Sequence, residues 1–219
     1  TNATEMAKVL ENSYRAMNIA FIVEWSRFAE EAGVNLYEVI NAIRMRETHS
    51  NMMFPNIGVG GYCLPKDPLL ASWARQNFFK STGGLIQSEQ GVRINDQMPF
   101  FAFNFFKQQL DALARDLKGL KVLLLGVSYR GDVGDTRHSP VELFCRLLMS
   151  AGCEVRAHDY FVDYWTECEL PVETKLEAAL AWGFDALAIT TGHSEYCKNP
   201  CLLSVLEQSS DCVVVDTIG

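Results

Sequence analysis

The chain has 219 residues, 48% of them hydrophobic and 21% charged, with a formal net charge of −8. That length holds one large domain or two small ones around a real apolar core. The acidic balance leaves no basic stripe to displace counterions from a nucleic acid or an anionic membrane surface, while a phosphorylated small molecule needs only a few local donors.

No apolar run approaches the roughly 20 residues that span a bilayer. The longest candidate, Met17 to Phe28, is interrupted by Asn18, Glu24, Ser26 and Arg27. A charged segment followed by an apolar leader is missing as well. The seven cysteines, at 63, 145, 153, 168, 197, 201 and 212, form no paired framework and no Cys-x-x-Cys, which suits a reducing cytoplasm better than secretion. Cys197 and Cys201 beside His193 lack a second ligand pair, so no metal site is expected. The chain starts at Thr1 and stops at Gly219 directly after an apolar run, which reads as a piece of a longer protein.

Residues 3–32 read as one long helix. Met6, Val9, Leu10, Met17, Phe21, Trp25 and Phe28 recur near the 3.6-residue period, and Gly33 supplies a stop. Asn35, with Glu38 three residues on, opens a second helix running to about Arg46. A Gly-rich loop fills 47–66, and a helix over Asp67 to Phe78 follows. After Gly83-Gly84 a long helical pattern extends to Gly119, with a bend or restart near Pro99.

The second half alternates strands and helices. Lys121 to Val127 is a continuous apolar run of the kind a buried parallel strand needs. Ser139-Pro140-Val141-Glu142 combines an N-cap, a proline at the first helical position and a capping-box glutamate, and that helix ends near Gly152. Strands over Glu154 to Ala157, Ala186 to Thr190 and Val213 to Val215 are expected, with helices over Thr174 to Trp182 and after Pro200. The fold class is therefore α/β overall: an all-helical domain followed by a Rossmann-like parallel α/β domain.

The segment Gly58-Val59-Gly60-Gly61-Tyr62-Cys63-Leu64-Pro65-Lys66-Asp67 concentrates the chemistry. Its glycines let the backbone turn sharply and approach a ligand closely. If Asp67 opens a helix, Cys63 lies near that N-terminus, which favours the thiolate, the nucleophilic form. On these residues alone a Gly-rich turn with a buried cysteine is an equal alternative. In the first helix Lys8 and Asn12 share a face, which on such a helix is ordinarily its solvated side.

Gly-x-Gly-Gly-x-Cys-x-x-Lys-Asp resembles the active-site signature of the UDP-glucose/GDP-mannose dehydrogenases, nucleotide-sugar 6-dehydrogenases that oxidise a C6 alcohol to a carboxylate with two NAD+. Glu5-Met6-Ala7-Lys8-Val9-Leu10-Glu11-Asn12, continued by Arg15-Ala16 and Asn18-Ile19-Ala20, is similar to the family's central helix. The family often has Asn-Glu where this chain has Val23-Glu24, so position 23 carries no role. The resemblance implies Cys63 as nucleophile, Asp67 as base or water-positioning group, Lys8 as oxyanion stabiliser and Asn12 as orienting donor. It implies substrate contacts from Gly58, Gly60, Gly61 and Tyr62, and it assigns no cofactor contact in this chain beyond Lys66 as a candidate, at a position where related sequences vary.

In the second half, Gly126, Gly131 and Gly134 do not make Gly-x-Gly-x-x-Gly, so no NAD pyrophosphate site is supported there. Gly126-Val127-Ser128-Tyr129-Arg130 and Asp135-Thr136-Arg137-His138-Ser139-Pro140 resemble the family's C-terminal, UDP-binding domain. Arg130, where a lysine is common, and Arg137 become substrate contacts, although Arg137 reads equally well as a partner of Asp135. Thr191-Gly192-His193-Ser194-Glu195-Tyr196 matches a family turn, with His193 read as an ordinary loop histidine. His158-Asp159 ends another strand where a base or ribose would sit, and Arg93-Ile94-Asn95 reads as architecture.

The expected organisation is a helical central domain over 1–95, a connecting helix over 96–117 and a UDP-binding domain over 118–219. NAD would be held mainly by a domain outside this chain, and the central helices would build a homodimer. Gly-Val-Gly-Gly-Tyr-Cys, with proline after Lys-Asp, resembles the UDP-N-acetylhexosamine branch of the family more than the UDP-glucose branch, which implies a UDP-N-acetylhexosamine as substrate. The alternatives are GDP-mannose as substrate, or a module that binds nucleotide sugars and dimerises without catalysis.

Overall fold

Helix α1 runs unbroken from Asn2 to Ala32. Gly33, at φ +64°, ends it, with Val34 N bonded to Ala29 O at 2.9 Å and Gly33 N to Glu30 O at 3.2 Å. That pair of bonds closes the last turn and needs a residue at ease in the left-handed region. The computed structural model describes residues 2–208 and 212–219, and the chain falls into two units, one extending to Met98 and including Gly219, the other from Pro99 to Ile218.

In the first unit α1 buries a different face from the one its large residues suggest. Its buried positions are Asn12, Ser13, Ala16, Ile19, Ala20, Ile22, Val23 and Ala29. Met6, Leu10, Phe21, Trp25 and Phe28 are exposed, Trp25 by 48%. The reason is a close crossing with α4, Ile86–Asp96. A Cβ added at Gly91 of α4 would stand 3.3 Å from Met17 Cα, and Asn95 Nδ2 donates to Ala16 O at 3.0 Å. Gly91, with Ser13, Ala16 and Ala20 on α1, permits that approach, and the largest apolar residues of α1 face outward. Asn95 thus holds α4 to α1.

Helix α2, Leu36–Arg44, is capped by Asn35, whose Oδ1 accepts from Tyr37 N at 3.0 Å and Glu38 N at 3.4 Å. Helix α3 spans Asp67–Asn77. The pattern expected to continue to Gly119 is two helices, because α4 stops at Asp96 and α5 covers Met98–Ala112. Pro99 sits in the first turn of α5, where its missing N–H costs nothing.

The second unit is a six-stranded sheet. In chain order its elements are β1 Lys121–Leu125, α6 Pro140–Ser150, β2 Glu154–His158, β3 Tyr164–Trp165, β4 Leu170–Glu173, α7 Leu176–Leu180, β5 Ala186–Ile189, α8 Pro200–Gln208 and β6 Val213–Asp216. Strand order is β3-β4-β2-β1-β5-β6, parallel except for the β3–β4 pair. Leu123 faces Arg156 of β2 on one side and Leu187 of β5 on the other. On one sheet face Leu123, Leu125, Leu176, Leu187, Tyr196 and Leu202 form a core cluster. Phe106 of α5 packs edge-on against Phe144 of α6 at 6.4 Å, both fully buried. A strand covered on both faces loses its alternating pattern, which is why β1 reads as an unbroken apolar run.

Strands β3 and β4, not among the expected elements, are two and four residues long and show no usable period. Strand β1 ends at Leu125, two residues short of the expected Val127, since Gly126 at φ +91° turns the chain out of the sheet. The helix expected over Thr174 to Trp182 is the short α7. Ser139 caps α6 by accepting from Val141 N at 3.4 Å, but the Glu142 carboxylate turns to Arg146 Nε at 2.9 Å instead of back to the cap. Among the described residues no helix is long and apolar enough to cross a membrane.

Candidate active site

The cysteine loop lies between α2 and α3 and is tied down along its length. Tyr37 of α2 donates its hydroxyl to Pro55 O at 3.1 Å and stacks on Phe54 at 5.7 Å, with the Arg44 guanidinium 4.8 Å from the same ring. From α1, Asn18 Oδ1 accepts Met53 N at 3.3 Å, and Tyr14 OH accepts Asn51 Nδ2 at 3.0 Å. Tyr14 and Asn18 are anchors with no role among the residues expected from sequence. Their four-residue spacing on one helix face was the available signal.

The loop then turns on its glycines. Asn56 Oδ1 accepts Gly58 N at 3.0 Å, and Gly58 and Gly61 adopt φ of +148° and +77°. Gly60 takes no positive φ, so it is not required for the turn in the way its neighbours are. Cys63 is half-buried and Tyr62 exposed. The Cys63 carbonyl accepts from Lys66 N at 3.2 Å and Asp67 N at 2.8 Å, which folds the cysteine back over the start of α3.

Asp67 is 5% exposed, and its Oδ2 accepts from Asn12 Nδ2 at 2.7 Å. A buried carboxylate needs such a donor, and this one comes from 55 residues away on α1. Asn12 is therefore no solvated-face residue. Lys66 Nζ lies 3.6 Å from Asp67 Oδ1, with most of its side chain in solvent. Lys8 is exposed, one turn before Asn12 on α1. Position 23, where the family often has asparagine, is a fully buried valine and serves packing. The structure thus joins Asn12, Asp67 and the Cys63 carbonyl through hydrogen bonds, an amide donor fixing a buried carboxylate four residues after the thiol-bearing residue.

In the second unit, strand order reverses on either side of β1, and the loops after β1, β2 and β5 meet at that switch point. This is where open α/β sheets bind ligands. Here side chains fill the crevice. Asp159 is fully buried, and its Oδ2 accepts from Val127 N at 2.8 Å, Ser128 N at 3.3 Å and Ser128 Oγ at 3.1 Å. Its Oδ1 accepts from Phe161 N at 2.9 Å, and His193 Nε2 stands 3.0 Å from Oδ2. The amides that would cradle a dinucleotide pyrophosphate are already satisfied, and the acid that would meet its ribose points inward. These residues do not fit an NAD site, and neither His158 nor Asp159 reaches solvent as a ribose contact would.

Arg130 is exposed on the loop after β1. Arg137 donates from Nε to Asp135 Oδ1 at 2.8 Å and from Nη2 to Asp135 Oδ2 at 2.6 Å. That guanidinium holds the Asp135 carboxyl down to about 2. Burial would push Asp159 up, but the bonds from His193, Val127 N and Phe161 N outweigh it and hold the group below its ordinary value. A carboxyl with a depressed folded-state pKa adds stability above its unfolded value of 3.8, and that stability is lost as pH falls through the folded value. The melting temperature is therefore expected to fall from about pH 4 towards pH 2, more steeply in the wild type than in Asp135→Asn. Identical acid limbs in calorimetric scans of the two would contradict this.

Among the described residues no group of three His, Cys, Asp or Glu is placed to hold a metal ion.

Comparison with known proteins follows the same division. Residues 2–95 match the UDP-glucose/GDP-mannose dehydrogenase family central domain, and residues 123–219 match that family's UDP binding domain. A UDP-N-acetyl-D-mannosamine dehydrogenase of Pyrococcus horikoshii is 38% identical over 201 residues, covering 90% of this chain and 44% of the relative. A solved UDP-D-ManNAc dehydrogenase structure from Pyrococcus horikoshii superposes with a TM-score of 0.79 at 31% identity, covering 97% of this chain and 47% of that one. An NDP-N-acetyl-D-galactosaminuronic acid dehydrogenase from Methanosarcina mazei Go1 shares the fold, with a TM-score of 0.85 at 24% identity over 98% of this chain and 50% of that one. The chain spans about half the length of the relatives it matches. On the two domain matches together, this chain belongs to the UDP-glucose/GDP-mannose dehydrogenase family.

Proposed function

We propose that the full-length protein is an NAD-dependent UDP-sugar 6-dehydrogenase acting through Cys63, and that these 219 residues alone do not turn over. The observation that carries this reading is the bond between Asn12 and Asp67 beside Cys63. It fixes the carboxylate four residues after the nucleophile with an amide from 55 residues away on α1. A module that only bound nucleotide sugars would need neither.

Overall a C6 alcohol would lose four electrons to two NAD+, a cofactor that the switch-point residues of the second unit do not fit. This chain's side chains supply the chemistry between and after the oxidations. The Cys63 thiolate adds to the aldehyde carbon, forming a C–S bond, and the carbonyl oxygen takes a proton to give a thiohemiacetal. After the second oxidation the product is a thioester. Asp67 takes a proton from water, hydroxide adds to the thioester carbon, and the C–S bond breaks to return the thiolate and a carboxylic acid, which loses its remaining proton to solvent. Lys8 offsets the oxyanion, and Asn12 keeps the Asp67 carboxylate turned to its task. Gly58, Gly60, Gly61 and Tyr62 would contact the sugar, and Arg130 the diphosphate, with Arg137 a second contact from its pair with Asp135. Lys66 remains a candidate cofactor contact.

The relatives named above favour a UDP-N-acetylhexosamine of the mannosamine type. The test is the ratio of NADH formed to sugar consumed by the full-length protein, across UDP-N-acetylmannosamine, UDP-N-acetylglucosamine, UDP-glucose and GDP-mannose. Two NADH per UDP-N-acetylmannosamine supports the reading. One NADH per sugar, or turnover of GDP-mannose alone, overturns it.

The exposed stripe of α1, with Phe21, Trp25 and Phe28 in ring contact at 6.2 and 5.9 Å, supports a homodimer built on this helix. Phe21→Glu with Trp25→Glu is expected to weaken self-association at least about a hundredfold without loss of helicity. Sedimentation velocity at micromolar concentration would show a monomer. An unchanged dimer would place the interface elsewhere.

A further inference from the structure

We infer that His193 is a positioning residue whose Nδ1 holds the segment carrying Arg130 in the conformation that meets the substrate diphosphate. The inference rests on the UDP-sugar reading above and adds a residue to it.

His193 is fully buried, and both ring nitrogens are engaged. Asp132 N lies 3.0 Å from Nδ1. A backbone N–H only donates, so Nδ1 is the bare, accepting nitrogen and Nε2 carries the hydrogen. Nε2–H then donates to Asp159 Oδ2 at 3.0 Å, while Ser128 Oγ, 3.3 Å from Nε2, donates to the same oxygen at 3.1 Å. This is not a nucleophile triad. Serine and carboxylate crowd one nitrogen, the other nitrogen is occupied by a backbone amide, and Ser128 is itself buried.

The geometry at Asp132 gives the bond its purpose. Asp132 adopts φ +59°, a left-handed conformation uncommon outside glycine and taken most readily by residues such as aspartate. Two sets of bonds hold it there. The amide goes to His193 Nδ1, and Oδ1 accepts from Ser194 N at 2.8 Å and Ser194 Oγ at 3.0 Å. Next to it, a Cβ on Gly131 would collide with the Gly192 carbonyl oxygen, so the two loops touch backbone to backbone. Upstream, Tyr129 N bonds Asp135 O at 3.0 Å and Thr191 Oγ1 bonds Ser128 O at 2.7 Å. Arg130 therefore projects to solvent from between two fixed points, Tyr129 and Asp132. The downstream point depends on the nitrogen of a buried histidine.

Asparagine and glutamine separate the two nitrogens. His193→Asn would place an amide oxygen near the Nδ1 position and keep the acceptor for Asp132 N. His193→Gln would place its amide near the Nε2 position, keeping the Asp159 contact and leaving Asp132 N without an acceptor. The readout is UDP affinity by calorimetry on the full-length protein, with KM and kcat for the UDP-sugar and the melting temperature alongside. His193→Gln is expected to weaken UDP about tenfold and raise KM with kcat little changed. His193→Asn should stay within about threefold of wild type. In Arg130→Ala, which loses affinity by itself, adding His193→Gln should cost little more, because both act through one contact. Equal losses in the Asn and Gln variants that track melting temperature would overturn the inference and leave His193 a packing residue. Additive losses in the double variant would also overturn it. If wild type binds UDP and Arg130→Ala weakens it while His193→Gln does not, this inference alone fails. If wild type does not bind UDP, the UDP-sugar reading fails with it.

Discussion

Cys63→Ser in the full-length protein is expected to lower turnover to the carboxylate by about four orders of magnitude while leaving the fold intact. Serine is close in size, but its hydroxyl is neutral at working pH and its alkoxide is a far poorer leaving group than a thiolate. The bonds that shape the turn use the Cys63 carbonyl, which accepts from Lys66 N and Asp67 N, and not the sulfur. The thermal melt should therefore match wild type within a degree or two. Coupled enzyme assays that monitor NADH and the uronic acid together would check it. Wild-type turnover in the serine variant would remove Cys63 from the chemistry, and a collapsed melt would mean that the thiol is structural.

The second large effect is on stability. Asp159→Ala should destabilise the α/β unit by about 3–5 kcal/mol, since it removes one partner from a buried charged network. Val127 N, Ser128 N, Phe161 N and His193 Nε2 would each lose the acceptor they have in Asp159. Water is a poor substitute at that position, because Asp159, Ser128 and His193 are all essentially buried. At this size the loss corresponds to a drop in melting temperature of roughly 10–20 °C. Asp163→Ala, at an exposed carboxylate in the same unit, is the control and should be nearly silent. A shift for Asp159→Ala no larger than the control's would mean that the network contributes little, and the account of the β1 loop as pinned would be wrong.

Much of the fold is legible from the chain because its signals are local. Lys121 to Leu125 announces a strand covered on both faces, Ser139-Pro140 announces the start of α6, and Asn35 announces α2. What the chain does not announce is which apolar surface its own neighbours cover. Helix α1 carries two apolar faces, one small and one large, and the period is the same for both. Only the close crossing with Gly91 of α4 selects the small one. Strands β3 and β4 are too short to show alternation and exist because β2 offers an edge to pair with.

The same limit governs the site. Cys63 and Asp67 are four residues apart and visible together, and the resemblance to the family supplied Asn12 before the structure placed its amide on Asp67. The group formed by Ser128, Asp159 and His193 has no spacing signature at all. It arises because strand order puts the ends of β1, β2 and β5 side by side. Residues gathered by topology alone stay invisible until the strand order is known.

Covalent capture by Cys63 is tested most directly by quenching the full-length Asp67→Asn variant during turnover of UDP-N-acetylmannosamine and weighing its Cys63 peptide. Asparagine at 67 can still accept from Asn12 Nδ2 but cannot take a proton from water, so hydrolysis should become the slow step. A burst of two NADH per site and a uronyl thioester adduct on Cys63 are expected. Oxidation to the acid with two NADH and an unmodified Cys63 peptide throughout would contradict covalent capture.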